Sequence, residues 1–273
     1  MCGIGGVIFL QGSNKDLLDS SQLLFEALED RGRHASGVAY LWKDADRFGV
    51  TKGATRASNL NWRNIGNDYV QALMFHTRYT TQGSTENNKN NHPIRAHGFV
   101  TTHNGVIQND DALFHRYGVK RIAQVDSEVL NATLKVSGVE SLSEDVMGSI
   151  SLAWVDDTPS HHDHINLYTN GRNPLVIART KCNNIVYASG LHHIQSAFEV
   201  TESINAEPHK HYQIWFNGTI TSEYVSDRRN APTIIRGSRN EHPAGSTRKK
   251  ATGTVFGGMQ YDPDLRVWRK WRN

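Results

Sequence analysis

Short apolar runs separated by Gly, Asn and other polar residues dominate the chain up to residue 222. Apolar runs of this kind, bounded by turn residues, are typical of β-strands. Strands are predicted on this basis at residues 4–10, 36–42, 72–77, 99–103, 149–155, 165–169, 175–179, 185–189 and 212–216. The pair Asn217-Gly218, which tolerates positive φ, predicts a two-residue hairpin turn into a further strand at 219–225.

Helical spacing of apolar residues occurs in two segments, 15–30 and 126–137. Ser13 and Asp16 have the spacing of a capping box at the start of the first segment. The side chains expected to face inward are Leu17, Leu24 and Leu28 in the first helix and Val129, Leu130, Thr133 and Leu134 in the second. Helices are therefore expected to cover β-sheets.

The last fifty residues differ from the rest in pattern and charge. After residue 225 the apolar periodicity fades into Pro, Gly, Arg and Lys. Residues 223–273 hold 11 Lys and Arg against 5 Asp and Glu, which leaves 19 against 22 in residues 1–222. We predict a domain at 2–222 and a basic C-terminal extension at 223–273 without a core of its own. The extension is expected to be solvated, with binding to a partner or to nucleic acid as the alternative.

The overall composition narrows the class of protein. Hydrophobic residues make up 37% and charged residues 21% of the chain, which is typical of a soluble globular protein. The two cysteines, Cys2 and Cys182, do not indicate a disulfide framework, so a reducing cytoplasmic location is expected. No basic leader precedes the first apolar run, and no apolar span reaches membrane-crossing length. Neither secretion nor membrane insertion is expected.

Cys2 is the first candidate for catalysis. Its small side chain permits removal of Met1, which would leave a thiol and a free α-amine on one residue. The thiolate is the nucleophilic form of cysteine, and an α-amine with a pKa of about 7.7 to 8.0 can accept the thiol proton near neutral pH. The alternative is a buried small residue at the start of a strand.

Three further segments place polar groups at the ends of predicted elements. Arg78 follows a strand and could grip a carboxylate with two N–H donors, or form a surface salt bridge. Asn104 and Gly105 follow another strand and offer an amide and a backbone N–H to an oxyanion, or form a plain Asn-Gly turn. Asp126 lies at the expected N-cap of the second helix and could also meet a substrate ammonium.

Taken in order, these segments resemble the class II glutamine amidotransferases, members of the N-terminal-nucleophile hydrolases. The resemblance covers about residues 2–222 and is strongest to the glutaminase domains of glucosamine-6-phosphate synthase and amidophosphoribosyltransferase. The segments that carry it are Cys2-Gly3-Ile4, Arg31-Gly32-Arg33-His34-Ala35-Ser36-Gly37, residues 76–83, Asn90-Asn91-His92-Pro93, His103-Asn104-Gly105, Asp126 through Val129, Gly148-Ser149 and Pro174 through Ile177.

The resemblance implies an α+β fold, a four-layer αββα sandwich of the N-terminal-nucleophile hydrolase type. It implies that Cys2 is the nucleophile and, through its amine, the base, and that Asn104 and Gly105 form the oxyanion hole. Arg78 and Asp126 would hold the α-carboxylate and α-amine of glutamine. The residues of the implied substrate loop are Thr81, Gln82 and Gly83. No cofactor and no metal are implied.

Two residues depart from the family pattern, because Tyr79 replaces the usual Trp and Gln82 the usual His of the substrate loop. No synthase motif is visible after residue 222, so the ammonia acceptor is expected on a separate partner chain. Two alternatives stay open: an amidohydrolase of another γ-glutamyl amide, and an inactive assembly module with the same fold.

Two minor features are assigned no role in catalysis. The segment 160–164, which is rich in His, lies in an expected hairpin loop without a second ligand cluster, so a zinc site there is not favoured. Cys182 precedes two Asn residues in another expected turn and is interpreted as an ordinary surface or half-buried thiol.

Overall fold

Two antiparallel β-sheets form the centre of the molecule. A computed structural model describes residues 1–11, 14–43, 48–63, 70–158 and 163–225, and three strands further along the chain. The strands of the first sheet are β1 (Gly3–Ile8), β2 (Ala35–Trp42), β3 (Gly49–Gly53), β4 (Val70–Arg78), β9 (Val176–Thr180), β10 (Ile185–Ala188) and β11 (Val200–Asn205). Their order across the sheet is β11-β9-β10-β1-β4-β2-β3, so β1 lies in its middle.

The second sheet has six strands. They are β5 (Ile94–Ala96), β6 (Phe99–Ile107), β7 (Gly148–Asp156), β8 (His164–Thr169), β12 (Lys210–Trp215) and β13 (Ile220–Tyr224). Their order is β13-β12-β8-β7-β6-β5. Three more strands, β14 (Val255–Phe256), β15 (Met259–Asp262) and β16 (Val267–Lys270), pair into a small antiparallel sheet that the sequence pattern did not predict.

Helices lie on the outer faces of the two sheets. The helices are α1 (Asn14–Ala27), α2 (Asp110–Tyr117), α3 (Glu128–Ser137), α4 (Ser141–Glu144) and α5 (Leu191–Gln195), and a 3-10 turn, Leu28–Asp30, extends α1. Side chains of α1 and α5 pack on the first sheet, and side chains of α2, α3 and α4 pack on the second. Among the described residues, no helix is long and apolar enough to span a lipid bilayer.

The alternation of side chains along the strands builds the layers. Ile4 and Met74 point into the core between the sheets, where they meet Leu167 and Ile214 of the second sheet. Phe75, one residue after Met74, points the other way and packs under the helices of the first sheet. Such alternation is expected because successive side chains of a strand face opposite sides. The expected four-layer αββα sandwich is confirmed.

The predicted strands are present, with differences at their ends. The largest difference is in β6, which was expected to end at His103 and continues to Ile107. The first predicted helix corresponds to α1 with its 3-10 turn, whereas the second begins at Glu128 rather than at residue 126. The proposed capping residue Ser13 lies outside the described residues.

The hairpin between β12 and β13 is present, but its predicted two-residue turn is wrong. The N–H of Gly218 donates to the carbonyl of Trp215 over 2.9 Å, so the turn is centred on Phe216 and Asn217. Gly218 follows that turn with φ +87°, a conformation that favours glycine. A turn followed by a left-handed glycine is the usual three-residue hairpin loop.

Candidate active site

Cys2 lies immediately before the central strand β1. In the ladder between β1 and β4, Gly3 is paired with Thr77, so Cys2 is brought beside Arg78 at the end of β4. The Cys2 thiol is half-buried, and its Sγ donates to the carbonyl oxygen of Tyr79 at 3.6 Å. The pairing of two strands thus joins the first residues of the chain to the segment that follows residue 77.

Two side chains hold the start of β1 in place. Arg31 Nε donates to the carbonyl oxygen of Cys2 at 2.9 Å. The backbone N–H of Ile4 donates to Ser189 Oγ at 3.0 Å, and the Ser189 N–H donates back to the Ile4 carbonyl at 2.9 Å. Sequence reasoning assigned no role to either side chain. Arg31 was visible as part of a motif, but its partner was not.

Asn104 lies within reach of the Cys2 backbone because β6 packs against β1 and β4. Its side chain is 1% exposed. The amide has one orientation in which both its nitrogen and its oxygen are hydrogen-bonded. In that orientation Nδ2 donates to the Cys2 carbonyl at 3.0 Å and Oδ1 accepts from an N–H of Arg31 at 3.3 Å. One N–H of the Asn104 amide therefore binds Cys2, and a second is available to another acceptor.

Gly105 is required by the close contact between β6 and β7. A Cβ at this position would lie 1.8 Å from the carbonyl oxygen of Ser149. Gly105 is paired with Ile150 inside the ladder, so the alternative reading of Asn104-Gly105 as a turn is excluded. Glycine lets the backbone beside Asn104 run close to β7.

Arg78 holds the loop that follows β4. The residue is 3% exposed. Its NH1 donates to Asn91 Oδ1 at 2.8 Å, and its NH2 donates to the carbonyls of Gly83, at 2.9 Å, and Gln82. These acceptors exclude a surface salt bridge. Three hydrogen bonds use three of the five guanidinium N–H groups and leave two for another acceptor.

The implied substrate loop places Thr81 and Gln82 at the surface, with Gly83 half-buried. Gly83 has φ +72°, and a Cβ there would lie 2.8 Å from Asn90 Nδ2. Tyr79 is 50% exposed, and its ring lies 4.9 Å from the ring of His34. The carbonyls of Gln82 and Gly83 reach Arg78, whereas the described contacts do not bring the Thr81 side chain to Cys2.

The prediction that Asp126 caps the second helix is wrong. The N-cap of α3 is Ser127, which makes no side-chain capping bond. Asp126 Oδ2 instead accepts the N–H of Ile107 at 2.6 Å, and its Oδ1 accepts from Ser127 Oγ at 3.4 Å. The buried Asp126 carboxylate therefore fixes the end of β6, the strand that carries Asn104. The helical pattern of residues 126–137 did not indicate this contact.

The charges of Cys2, Arg78 and Asp126 influence one another. Burial lowers the pKa of Arg78, and the negative charges of Cys2 and Asp126 oppose that shift. Burial also raises the pKa of the Cys2 thiol; the N-terminal charge and Arg78 act to lower it, and Asp126 adds to the rise. Nucleophile, cation and carboxylate thus share one electrostatic environment.

Three buried histidines form a neutral layer beside the site. The rings of His76 and His92 stack at 4.0 Å, and the Nε2–H of His76 donates to the carbonyl of His103 at 3.0 Å. His103 Nδ1 lies 2.8 Å from Ser127 Oγ. Burial lowers the pKa of His76 to about 3, and it lowers the pKa values of His92 and His103 as well. These imidazoles are therefore neutral at physiological pH.

Among the described residues, neither of the two minor features contributes a side chain to the site. Of the segment 160–164, residues 160–162 lie outside the described residues, while His164 Nδ1 is 2.6 Å from Asp163 Oδ1. Cys182 is an exposed free thiol.

Several known proteins are similar to this chain. A model of the glutamine amidotransferase domain matches residues 76–196. The chain is 28% identical over 230 residues to the 7-cyano-7-deazaguanine synthase of Sulfolobus acidocaldarius, covering 77% of this chain and 47% of that protein. It is also 28% identical over 216 residues to a glutamine–fructose-6-phosphate aminotransferase (isomerizing) of Staphylococcus aureus, covering 74% and 34%. The chain thus spans half or less of the length of these relatives.

Solved structures share the fold. The glutamine phosphoribosylpyrophosphate amidotransferase of B. subtilis superposes with a TM-score of 0.63 at 20% identity, over 82% of this chain and 49% of that one. A structure described as the allosteric regulatory enzyme of purine biosynthesis superposes with a TM-score of 0.64 at 21% identity, with the same coverage. The sandwich, the matched family model and these relatives together support a glutamine amidotransferase domain of the class II, N-terminal-nucleophile type.

Proposed function

We propose that this domain hydrolyses the side-chain amide of glutamine, giving glutamate and ammonia, and that Cys2 is the nucleophile once Met1 has been removed. The observation that carries the proposal is the hydrogen bond of 3.0 Å between the Asn104 amide and the Cys2 carbonyl. It brings an amide donor next to the residue that bears the thiol. An oxyanion formed on a carbon attached to Sγ would lie near such a donor.

In the proposed reaction the Cys2 sulfur attacks the carboxamide carbon of glutamine. The α-amine exposed by loss of Met1 accepts the thiol proton and delivers it to the departing ammonia. The N–H groups of Asn104 and Gly105 stabilise the oxygen that becomes negative. Water then cleaves the resulting thioester to release glutamate and restore the thiol. Once the α-amine has accepted the thiol proton, its positive charge lies on Cys2 itself and stabilises the thiolate against the effect of burial.

Arg78 and Asp126 are proposed to orient the substrate through its two charged groups. After its bonds to Asn91, Gln82 and Gly83, Arg78 retains the Nε–H and one N–H of NH1, either of which can donate to the α-carboxylate. Because Arg78 also binds the carbonyls of Gln82 and Gly83, substrate binding at Arg78 would affect the position of the loop that follows β4. Asp126 keeps one carboxylate oxygen on the Ile107 N–H and presents a charge to the α-ammonium.

Ammonia is proposed to pass to an acceptor site outside residues 2–222, on a partner protein. Support comes from the relatives, a synthase and an aminotransferase that this chain matches over 47% and 34% of their lengths. The remaining parts of such proteins are where an acceptor would bind. Affinity capture with Cys2→Ala protein, followed by mass spectrometry, tests this, and recovery of no synthase-class protein contradicts it. The basic extension 223–273 is a candidate contact for such a partner.

The activity is tested with a panel of amides. Purified protein should release ammonia and glutamate from L-glutamine, and the Cys2→Ala variant should release neither. Other γ-glutamyl amides have the same α-carboxylate and α-ammonium for Arg78 and Asp126 to hold, so their rates relative to L-glutamine show whether the unsubstituted carboxamide is the preferred substrate group. Faster cleavage of a different γ-glutamyl amide would point to the alternative amidohydrolase. Absence of any cleavage, with and without cell extract, would favour an inactive assembly module.

A further inference from the structure

A cluster of metal-ligating side chains lies apart from Cys2, on the helical side of the first sheet. Asp30, His192 and His193 each offer one ligand atom, and these three atoms lie within 4.8 Å of one another. The Nε2 atom of His193 is 3.0 Å from Asp30 Oδ1, and the Nε2 atom of His192 is 3.5 Å from Asp30 Oδ2. Asp30 is far from the two consecutive histidines in sequence, so the pattern of residues gave no sign of this cluster.

The backbone around the cluster brings the two imidazoles together. Consecutive residues of a helix normally point in different directions. Here the rings of His192 and His193, in the first turn of α5, lie only 3.8 Å apart between centroids. Gly190 makes room for this arrangement, because a Cβ there would lie 2.8 Å from His192 Cε1 and 3.1 Å from His193 Nδ1.

The separations suit a tetrahedral ion. With bonds of about 2.0–2.2 Å to nitrogen and oxygen, tetrahedral geometry places neighbouring ligand atoms about 3.3 Å apart. From the single carboxylate oxygen Asp30 Oδ2, the distances to His193 Nε2 and His192 Nε2 are 3.1 and 3.5 Å, which lie on either side of that value. The His193 side chain is 1% exposed and provides a fixed ligand, whereas the His192 and Asp30 side chains are 70% and 53% exposed and leave an open approach.

We propose that Asp30, His192 and His193 form a binding site for a divalent transition-metal ion of the Zn²⁺ class, with the fourth position open to water. Two imidazoles and one carboxylate are a ligand set that such ions favour. Simple His–Asp hydrogen bonds explain the two distances as well. One hydrogen bond to Asp30 requires only one histidine, whereas here two consecutive histidines face the same carboxylate. This arrangement of three ligand groups favours a metal site.

The ion would join two segments that hold the start of β1. Asp30 ends the turn after α1, and the next residue, Arg31, binds the Cys2 carbonyl. Ser189, which binds Ile4, lies just before α5. A metal bridge between the turn and α5 would therefore steady the segment that carries Cys2 without touching the reacting atoms. The site does not depend on the proposed glutamine hydrolysis.

Zinc binding to the full chain tests the proposal. Titration of ZnCl₂ should be done in a Cys2→Ala/Cys182→Ala background, which removes both thiols as competing ligands. One Zn²⁺ per chain should bind and raise the unfolding temperature. Asp30→Asn and His192→Ala alter exposed side chains, and each should weaken binding by at least about 10- to 100-fold, the loss seen when even an outer-shell partner of a metal is removed. Without zinc, His192→Ala should leave the unfolding temperature unchanged, whereas Asp30→Asn also alters the partner of the buried His193, so its zinc-induced rise is compared with its own zinc-free value.

Two control variants separate this site from other histidines. His115→Ala changes an exposed histidine on α2, and His161→Ala/His162→Ala removes the other tract rich in histidine. Both controls should bind zinc as tightly as the parent. Binding that is lost in the His161/His162 variant but retained in His192→Ala, or no saturable zinc binding at all, would overturn the proposal.

Discussion

At the residue scale, Asn104 gives the strongest support for the proposed catalysis, because both ends of its side-chain amide form hydrogen bonds. The Cys2 carbonyl accepts from Nδ2 and Arg31 donates to Oδ1. A side chain fixed in this way holds its second N–H in one direction. No rotamer freedom is then lost when that N–H donates to the negative oxygen that forms on the substrate. The sequence motif identified Asn104 as a candidate. It could not identify Arg31 as its support, since the contact depends on how β1 and β6 meet.

Asn104→Ala should reduce turnover by about 100- to 1000-fold, the usual effect of removing one oxyanion donor, with little change in KM. Steady-state kinetics with glutamine measure both quantities. Because Asn104 also binds the Cys2 backbone, the unfolding temperature and the rate of Cys2 alkylation by iodoacetamide should be measured on the same variant. Normal turnover would exclude the oxyanion role.

Arg78→Lys should be nearly as damaging as Arg78→Ala. An ammonium carries only three N–H donors, on a single atom, so it cannot keep the bonds to Asn91, Gln82 and Gly83 and also donate to a carboxylate. The expected result is a higher KM for glutamine in both variants, while a small thiol reagent still reacts with Cys2. If Arg78→Lys hydrolyses glutamine like the parent, the guanidinium has no special role.

At the scale of elements, the strands of the two main sheets that sequence analysis missed share one property. β3 and β11 are the two edges of the first sheet and β5 is an edge of the second. No residue of β3 or β11 is fully buried, and β5 has only three residues. Edge strands carry little of the apolar alternation that reveals central strands, and natural edges are often short. The interior strands were predictable because both of their faces are covered.

Ser189→Ala should destabilise the fold by about 1–3 kcal/mol, the cost of leaving a buried backbone donor without a partner. The affected group is the N–H of Ile4, a residue with no exposed surface. Urea unfolding at neutral pH measures the change in free energy. Ser189→Thr, which keeps a hydroxyl, should lose less. Equal losses in the two variants would show that packing around residue 189 matters more than this hydrogen bond.

For the molecule as a whole, the buried histidine layer should make stability depend on pH. His76 has a folded pKa of about 3, and an unfolded histidine titrates near 6.5. Between these values the unfolded chain binds more protons, so the free energy of unfolding falls as pH falls below about 6.5. At pH 5.5 the loss from His76 alone should be about 1.4 kcal/mol.

Urea unfolding at pH 7.0 and pH 5.5 measures this loss, and the lowered pKa values of His92 and His103 should add to it. His115→Gln, on the exposed face of α2, should leave the pH dependence unchanged. Equal stability at the two pH values would contradict the assignment of a neutral buried layer.

The arrangement of the whole molecule was predictable only in part. Periodicity indicated strands covered by helices, and the resemblance implied four layers, but neither gives the order of strands. That order decides the site, since β4 pairs with β1 and brings residue 78 to residue 2, although they are far apart in the chain. The contacts of Asp126 and Arg31 follow from the same long-range pairing, which local patterns do not encode.

The central claim is that Cys2, freed of Met1, is the nucleophile. Intact-mass and peptide mass spectrometry after treatment with an electrophilic glutamine analogue test it most directly. The active protein should begin at Cys2, gain one adduct and carry that adduct on the Cys2 sulfur, and excess glutamine should slow the labelling. Met1 retained in fully active protein, or an adduct on Cys182 in place of Cys2, would contradict it.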